Sequence, residues 1–151
     1  MTKKIFLGVL AFLVAIQFFR IDQDSLALDS STDFIRIYAP PNDVAAILKT
    51  SCYDCHSYET NYPWYSNVAP VSWWVGHHIE EGREELNFSE WTKYSPKKAQ
   101  HKLKEMIEEI HERKMPLPSY TWMHPESNLS PEQREILTQW IESISATKVT
   151  E

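Results

Sequence analysis

The chain contains two cysteines, Cys52 and Cys55, and His56 follows the second directly. The stretch Cys52-Tyr53-Asp54-Cys55-His56 constrains the fold more than any other, because the remaining chain must wall in whatever binds there. Two thiols at this spacing can each add to one of the two vinyl groups of a porphyrin, and the adjacent imidazole then lies beneath the iron. C-x-x-C-H is the attachment pattern of c-type haem. The expected cofactor is therefore one covalently attached haem c, held by Cys52 and Cys55, with His56 as the proximal iron ligand. Other chemistries fit less completely. A structural zinc takes four protein ligands and this stretch supplies three, so a zinc-stabilised interaction domain needs a distant histidine as well. A redox dithiol normally sits between a strand and a helix, and no such pattern surrounds these residues. A disulfide closing so short a loop would constrain little unfolded-chain entropy.

Residues 1–21 read as a targeting or anchoring segment. Lys3 and Lys4 precede an apolar run, Ile5 to Phe19, that is broken by Gln17 and followed by Arg20. As a helix the run would cover about 22 Å, against a hydrocarbon core of roughly 30 Å. Snorkelling of Lys4 and Arg20 narrows that gap. The expectation is an uncleaved, single-pass signal anchor in the cytoplasmic membrane with the domain facing the periplasm, since the lysine pair favours a cytoplasmic N-terminus. The alternative is a soluble periplasmic protein released by cleavage at Ser25-Leu26-Ala27. Residues 22–39 then form a mobile polar spacer, 40–146 the haem-binding domain and 147–151 a tail.

The domain reads as all-α, with helices joined by aromatic and proline-rich loops and no sustained alternation of period two. Asn42 or Asp43 can cap a first helix whose apolar face, Val44, Ile47, Leu48 and Cys52, runs into the motif. Tyr62, Pro63, Trp64 and Tyr65 form an aromatic loop that serves either as core or as a wall of the cofactor site. A second helix is expected from Val71 to about Leu86, with His78 and Gly82 on one face and His77 on another. Gly82 there suggests a close approach, and Arg83 can pair with a haem propionate. Ser95-Pro96 starts a scaffold helix carrying Ala99, Leu103, Met106, Ile107 and Ile110. Ser130-Pro131-Glu132-Gln133 is a capping box, followed by Ile136, Leu137, Trp140, Ile141 and Ile144 as a buried face.

The second axial position of the iron has three candidate side chains, or stays open or water-occupied. Met115 lies in Lys114-Met115-Pro116-Leu117-Pro118, where the residue before proline avoids helical geometry and a thioether is held on an extended segment. His78 and His124 are the alternative distal ligands, each also a candidate partner for a propionate, and His78 reads first as a core-edge histidine bonded to a carbonyl. Pro125 after His124 keeps that residue, too, in a loop.

The order of features resembles that of class I cytochromes c, where a first helix carries the motif, a loop methionine supplies the distal sulfur and the terminal helix packs on the first. The chain is also similar to the bacterial haem-binding-domain family, small and often membrane-anchored proteins of the Bacteroidetes type. That likeness rests on Ser51 to Ser57, Tyr62-Pro63-Trp64-Tyr65, His78, Gly82-Arg83, Leu86 to Trp91 and Met115-Pro116-Leu117. It implies a small cytochrome c-like helical domain that binds haem, with Met115 as the distal ligand; the aromatic loop separately offers Trp64 as a lining residue of the site.

The functional expectation is a monohaem electron carrier tethered to the cytoplasmic membrane. An alternative is a haem sensor or accessory module with an open or displaceable sixth ligand. No acid, base or nucleophile constellation stands elsewhere in the chain, which argues against an independent enzyme. The net charge of −6 gives no reason to expect nucleic acid. It suits a redox partner with a basic docking face.

Overall fold

The computed structural model describes residues 2–23 and 30–147, and every element in it is helical. Eight α-helices follow one another, with short 3-10 turns between them. They are α1 (Thr2–Ala15), α2 (Phe34–Tyr38), α3 (Asn42–Ser51), α4 (Tyr53–His56), α5 (Val71–Glu85), α6 (Pro96–His111), α7 (Pro118–Met123) and α8 (Pro131–Thr147). The cleavage site considered at Ser25-Leu26-Ala27 lies outside the described residues, as does residue 148 onward.

The long helices begin where cap chemistry places them. Ser95 Oγ accepts from Lys98 N ahead of Pro96 at the first position of α6. At α8 the Ser130 hydroxyl accepts from Gln133 N at 3.1 Å while the Gln133 side chain accepts from Ser130 N at 2.9 Å, a reciprocal capping box. The start of α3 differs from expectation: Pro41 occupies the cap position, and Asn42 and Asp43 both lie inside the helix.

Apolar faces of α3, α6 and α8 meet around Val44, Leu48, Leu103, Ile110, Leu137 and Ile141. α8 packs on both α6 and α3. Ile136, expected on the buried face of α8, is 41% exposed, because the helix turns its Leu137–Ile141 edge inward instead. An aromatic cluster extends this core toward the motif. Phe34 contacts Trp91, Phe88 and Trp140 at centroid distances of 4.6, 5.0 and 5.7 Å, and Phe88 stacks on Tyr53 of α4. Phe34 is fully buried and Asp33 nearly so, so part of the expected 22–39 spacer belongs to the folded domain. Asp33 caps α2 through bonds from Ile35 N and Arg36 N and accepts from the Tyr53 hydroxyl at 3.0 Å.

The N-terminal segment corrects the expectation of a hydrophobic anchor helix. α1 is helical from the second residue but only 14 residues long, about 21 Å at 1.5 Å per residue. The chain then tightens into a 3-10 turn at Ile16–Phe18 and leaves helical geometry at Phe19. Among the described residues no helix is long and apolar enough to cross a membrane, which overturns the single-pass placement in the cytoplasmic membrane.

Gln17 is where the apolar run parts from its helix. Its amide nitrogen donates to Ala69 O at 3.0 Å, and its amide oxygen accepts from Ala69 N at 3.0 Å. Trp73 Nε1 donates to Phe19 O at 2.6 Å, and Gln23 donates to Ser66 O at 3.2 Å. A Cβ on Gly76 of α5 would stand 2.8 Å from Ile21 Cγ2, so only glycine admits the segment this closely. Residues 16–23 are docked on the domain.

Candidate functional site

The motif is a single tight turn between α3 and α5. Cys52 ends α3, and its carbonyl accepts from Cys55 N and His56 N as α4 closes. α5 lies against α4 through Gly82, where an added Cβ would stand 2.8 Å from Cys55 O and 3.2 Å from Cys55 Cβ. The close approach expected at Gly82 is therefore an approach to the motif backbone. It has a chemical consequence.

With α5 so near, His56 Nδ1 lies 2.8 Å from Gly82 O and 3.0 Å from Leu86 O. Both partners are carbonyls, which only accept, so Nδ1 carries the proton and donates. The lone pair then resides on Nε2, the nitrogen a metal would take. Burial lowers the His56 pKa, against the opposing pull of the two carbonyl bonds, and keeps the ring neutral as a ligand must be. Phe88 meets the ring edge-on at 6.2 Å and ties it to the aromatic core.

Both cysteines are free thiols, half-buried beside this imidazole. Desolvation pushes Cys52 up to about 12 and Cys55 up to about 11, each further raised by a neighbouring negative charge. At neutral pH they are protonated, unlike the low-pKa thiolates of disulfide oxidoreductases. Among the described residues no three His, Cys, Asp or Glu side chains converge as a metal cage.

Asp54, inside the motif, was not singled out from the sequence. Its carboxylate accepts from the Tyr120 hydroxyl at 2.6 Å and from Asn61 N at 2.9 Å, and its carbonyl accepts from Thr60 Oγ1. Tyr120 stacks on His124 at 4.6 Å, and His124 Nε2 is 2.7 Å from the Tyr65 hydroxyl. Nδ1 of His124 faces Glu126 at 3.3 Å. α7 and the 59–65 loop are thus both gathered against the motif. No spacing rule connects these residues, so only the fold reveals them.

The remaining candidates are distributed as follows. Arg83 donates through Nε to Ser57 O at 2.8 Å and through Nη2 to Thr60 Oγ1 at 2.9 Å, over the Tyr58 ring, so it braces the loop leaving the motif. His78 bonds back to Trp74 O on its own helix at 2.9 Å and rests on the Trp74 ring. Trp64 is 75% exposed. Met115 is half-buried, its N–H bonded to Glu109 O and its carbonyl to Arg134 Nη1.

A donor set of one neutral imidazole with a free Nε2 and two protonated thiols at the C-x-x-C spacing fits a haem. The comparison with known families agrees, matching residues 11–143 to a family described as a haem-binding domain. The chain belongs to the haem-binding domain family. The match begins inside α1 and so takes in the docked segment at residues 16–23. As a member of this family the protein binds haem. Neither a curated protein nor a solved structure matches this haem-binding chain.

Proposed function

We propose that the protein is a monohaem electron carrier of the c type. Its haem is attached through Cys52 and Cys55, its proximal ligand is His56 and its distal ligand is Met115. The observation that carries the reading is the orientation of His56, whose Nδ1–H is spent on Gly82 O and Leu86 O and whose Nε2 is left to bind. Attachment needs no leaving group, since each Sγ–H adds across one vinyl C=C to give a thioether, the sulfur going to one vinyl carbon and the proton to the other. Bound haem supplies the iron couple that accepts and releases one electron.

The side chains around the motif support a carrier. His56 is fixed by backbone groups, which limits its movement when the metal charge changes. His78 sits on α5, the helix that Nδ1 faces, so the ring holds Nε2 away from it. His124 already has Tyr65 and Glu126 at its two nitrogens. A Met115 thioether remains as the soft second ligand, and such a ligand raises the potential over a bis-histidine pair. A redox partner would present a basic face to this acidic chain and dock weakly, in a salt-sensitive way.

The test is expression of the full chain with a c-haem maturation system, followed by denaturing electrophoresis and spectra in both oxidation states. Haem that stays with the denatured chain and a low-spin spectrum unmoved by carbon monoxide are expected. Haem lost on denaturation would refute the covalent attachment. Ready formation of a carbonyl adduct would replace the carrier with a haem sensor or accessory module.

A further inference from the structure

Resting on the assignment of Met115 as distal ligand, we propose that Arg134 is its positioning residue, fixing the Met115 backbone from α8 and so deciding where the thioether stands. α6 ends at His111 and the chain reverses through Arg113, whose φ is 57°. Met115 N then donates back to Glu109 O at 3.1 Å. The other side of the residue is held by Arg134, whose Nη1 donates to Met115 O at 3.0 Å and to Ile110 O at 3.0 Å. One guanidinium nitrogen thus ties the last turn of α6 to the methionine. Arg134 lies in the first turn of α8, three residues before the fully buried Leu137, so its stem projects from a fixed base.

The far end of the segment is fixed independently by the Tyr120–Asp54 bond, which holds α7 against the motif. Between the two pins stand Pro116, Leu117, Pro118 and Ser119, and the two prolines restrict the backbone further. A strap this short has little freedom while both pins hold. Freed at the Arg134 end, it lets the sulfur swing with the reversing turn. A guanidinium suits the role because its planar donors are rigid and permanently charged, whereas an ammonium on a flexible stem meets one carbonyl with poorer geometry.

The experiment compares matured holoprotein of the wild type with Met115→Ala, Arg134→Met, Arg134→Lys and Leu137→Ala. The sulfur-to-iron charge-transfer band of the ferric form and its affinity for added imidazole are read alongside thermal unfolding. Met115→Ala is expected to abolish the band. Arg134→Met should keep covalent haem, weaken the band and raise imidazole affinity about tenfold, the scale of one charge-assisted hydrogen bond. Arg134→Lys should fall between it and wild type. Leu137→Ala should lower the unfolding temperature without raising imidazole affinity. If Met115→Ala leaves the band intact, the ligand assignment fails and the proposal with it. If Met115→Ala abolishes the band while Arg134→Met matches wild type, the proposal alone fails. It fails also if Leu137→Ala raises imidazole affinity as much as Arg134→Met, since general loosening then explains both. Should Arg134→Met not fold, Arg134→Lys decides: affinity above wild type supports the role, and wild-type affinity overturns it.

Discussion

The two sides of the motif are built by different means. On the α5 side the contacts to Cys55 and His56 are made by backbone, with the Arg83 side chain reaching only the loop beyond them: Gly82 and Leu86 offer carbonyls to His56, and Gly82 admits the Cys55 backbone because it lacks a Cβ. On the α7 side they are made by side chains, with Tyr120 on Asp54, Tyr65 on His124 and Arg134 on Met115. Backbone contacts resist substitution and hold one geometry. Side-chain contacts are tunable one residue at a time. In the carrier proposed above, the contrast would suit a first ligand that must stay fixed and a second that sets the potential.

The largest effect is expected on the backbone-built side from His56→Ala, which removes the one imidazole held there. Matured protein should lose its low-spin spectrum entirely, as read by optical absorption. A normal spectrum would show the proximal ligand to be another residue. Next comes Gly82→Ala, whose methyl would meet Cys55 O at 2.8 Å and force the helix and turn apart. Overpacking of this kind costs about 1–3 kcal/mol, so chemical denaturation should show a loss in that range together with poorer haem attachment. Unchanged stability would mean that this side yields as readily as the other.

Tyr120→Phe tests the side-chain half and should do less. It removes a hydrogen bond to a carboxylate, about 1.5–3 kcal/mol before any rescue of Asp54 by water. The expected reading is a modest fall in unfolding temperature with higher imidazole affinity, while haem attachment stays normal. Failed attachment would place Asp54 and Tyr120 with the rigid half. The smallest effect concerns Glu90, whose carboxyl is held below its ordinary range by bonds from Lys93 and Tyr58. Its folded pKa is below the unfolded one, so its contribution is complete above about pH 4.5 and is lost as pH falls through the folded value. Wild type and Glu90→Gln should therefore differ in unfolding temperature by a few degrees at most at pH 7, and converge once the pH has fallen below the folded value. A gap that persists in acid would assign the effect to shape rather than charge.

Much of the helical scaffold was legible because it rests on local rules. The Ser95-Pro96 start and the Ser130–Gln133 box are short-range hydrogen-bond chemistry, and α6 shows its stripe at Ala99, Leu103, Met106 and Ile110. Gly82 was legible as a close approach, though what approaches it was not. The motif itself named the cofactor class. Other features depend on tertiary neighbours that no spacing reports. Arg134 reaches a carbonyl 19 residues away, and Tyr120 reaches Asp54 66 residues away. Arg83 reads equally well as a propionate partner or a brace, and its bonds to Ser57 and Thr60 are set by how α5 is laid down. The N-terminal run misled for a similar reason. Hydropathy registers Ile5 to Phe19 as one apolar string, while the fold divides it at Gln17.

That division makes the first 23 residues two texts of different strictness. Ahead of Gln17, α1 buries no residue, so its apolar side chains could be shuffled among themselves with little consequence for the domain. From Ile16 onward the wording is prescribed, since Gln17 copies the pairing pattern of a peptide group opposite Ala69, Trp73 reads the Phe19 carbonyl and Ile21 fills the notch left by Gly76. A swapped leader that preserves only hydrophobicity would erase that second text. The damage would surface far from the junction, along the helix whose other end orients His56.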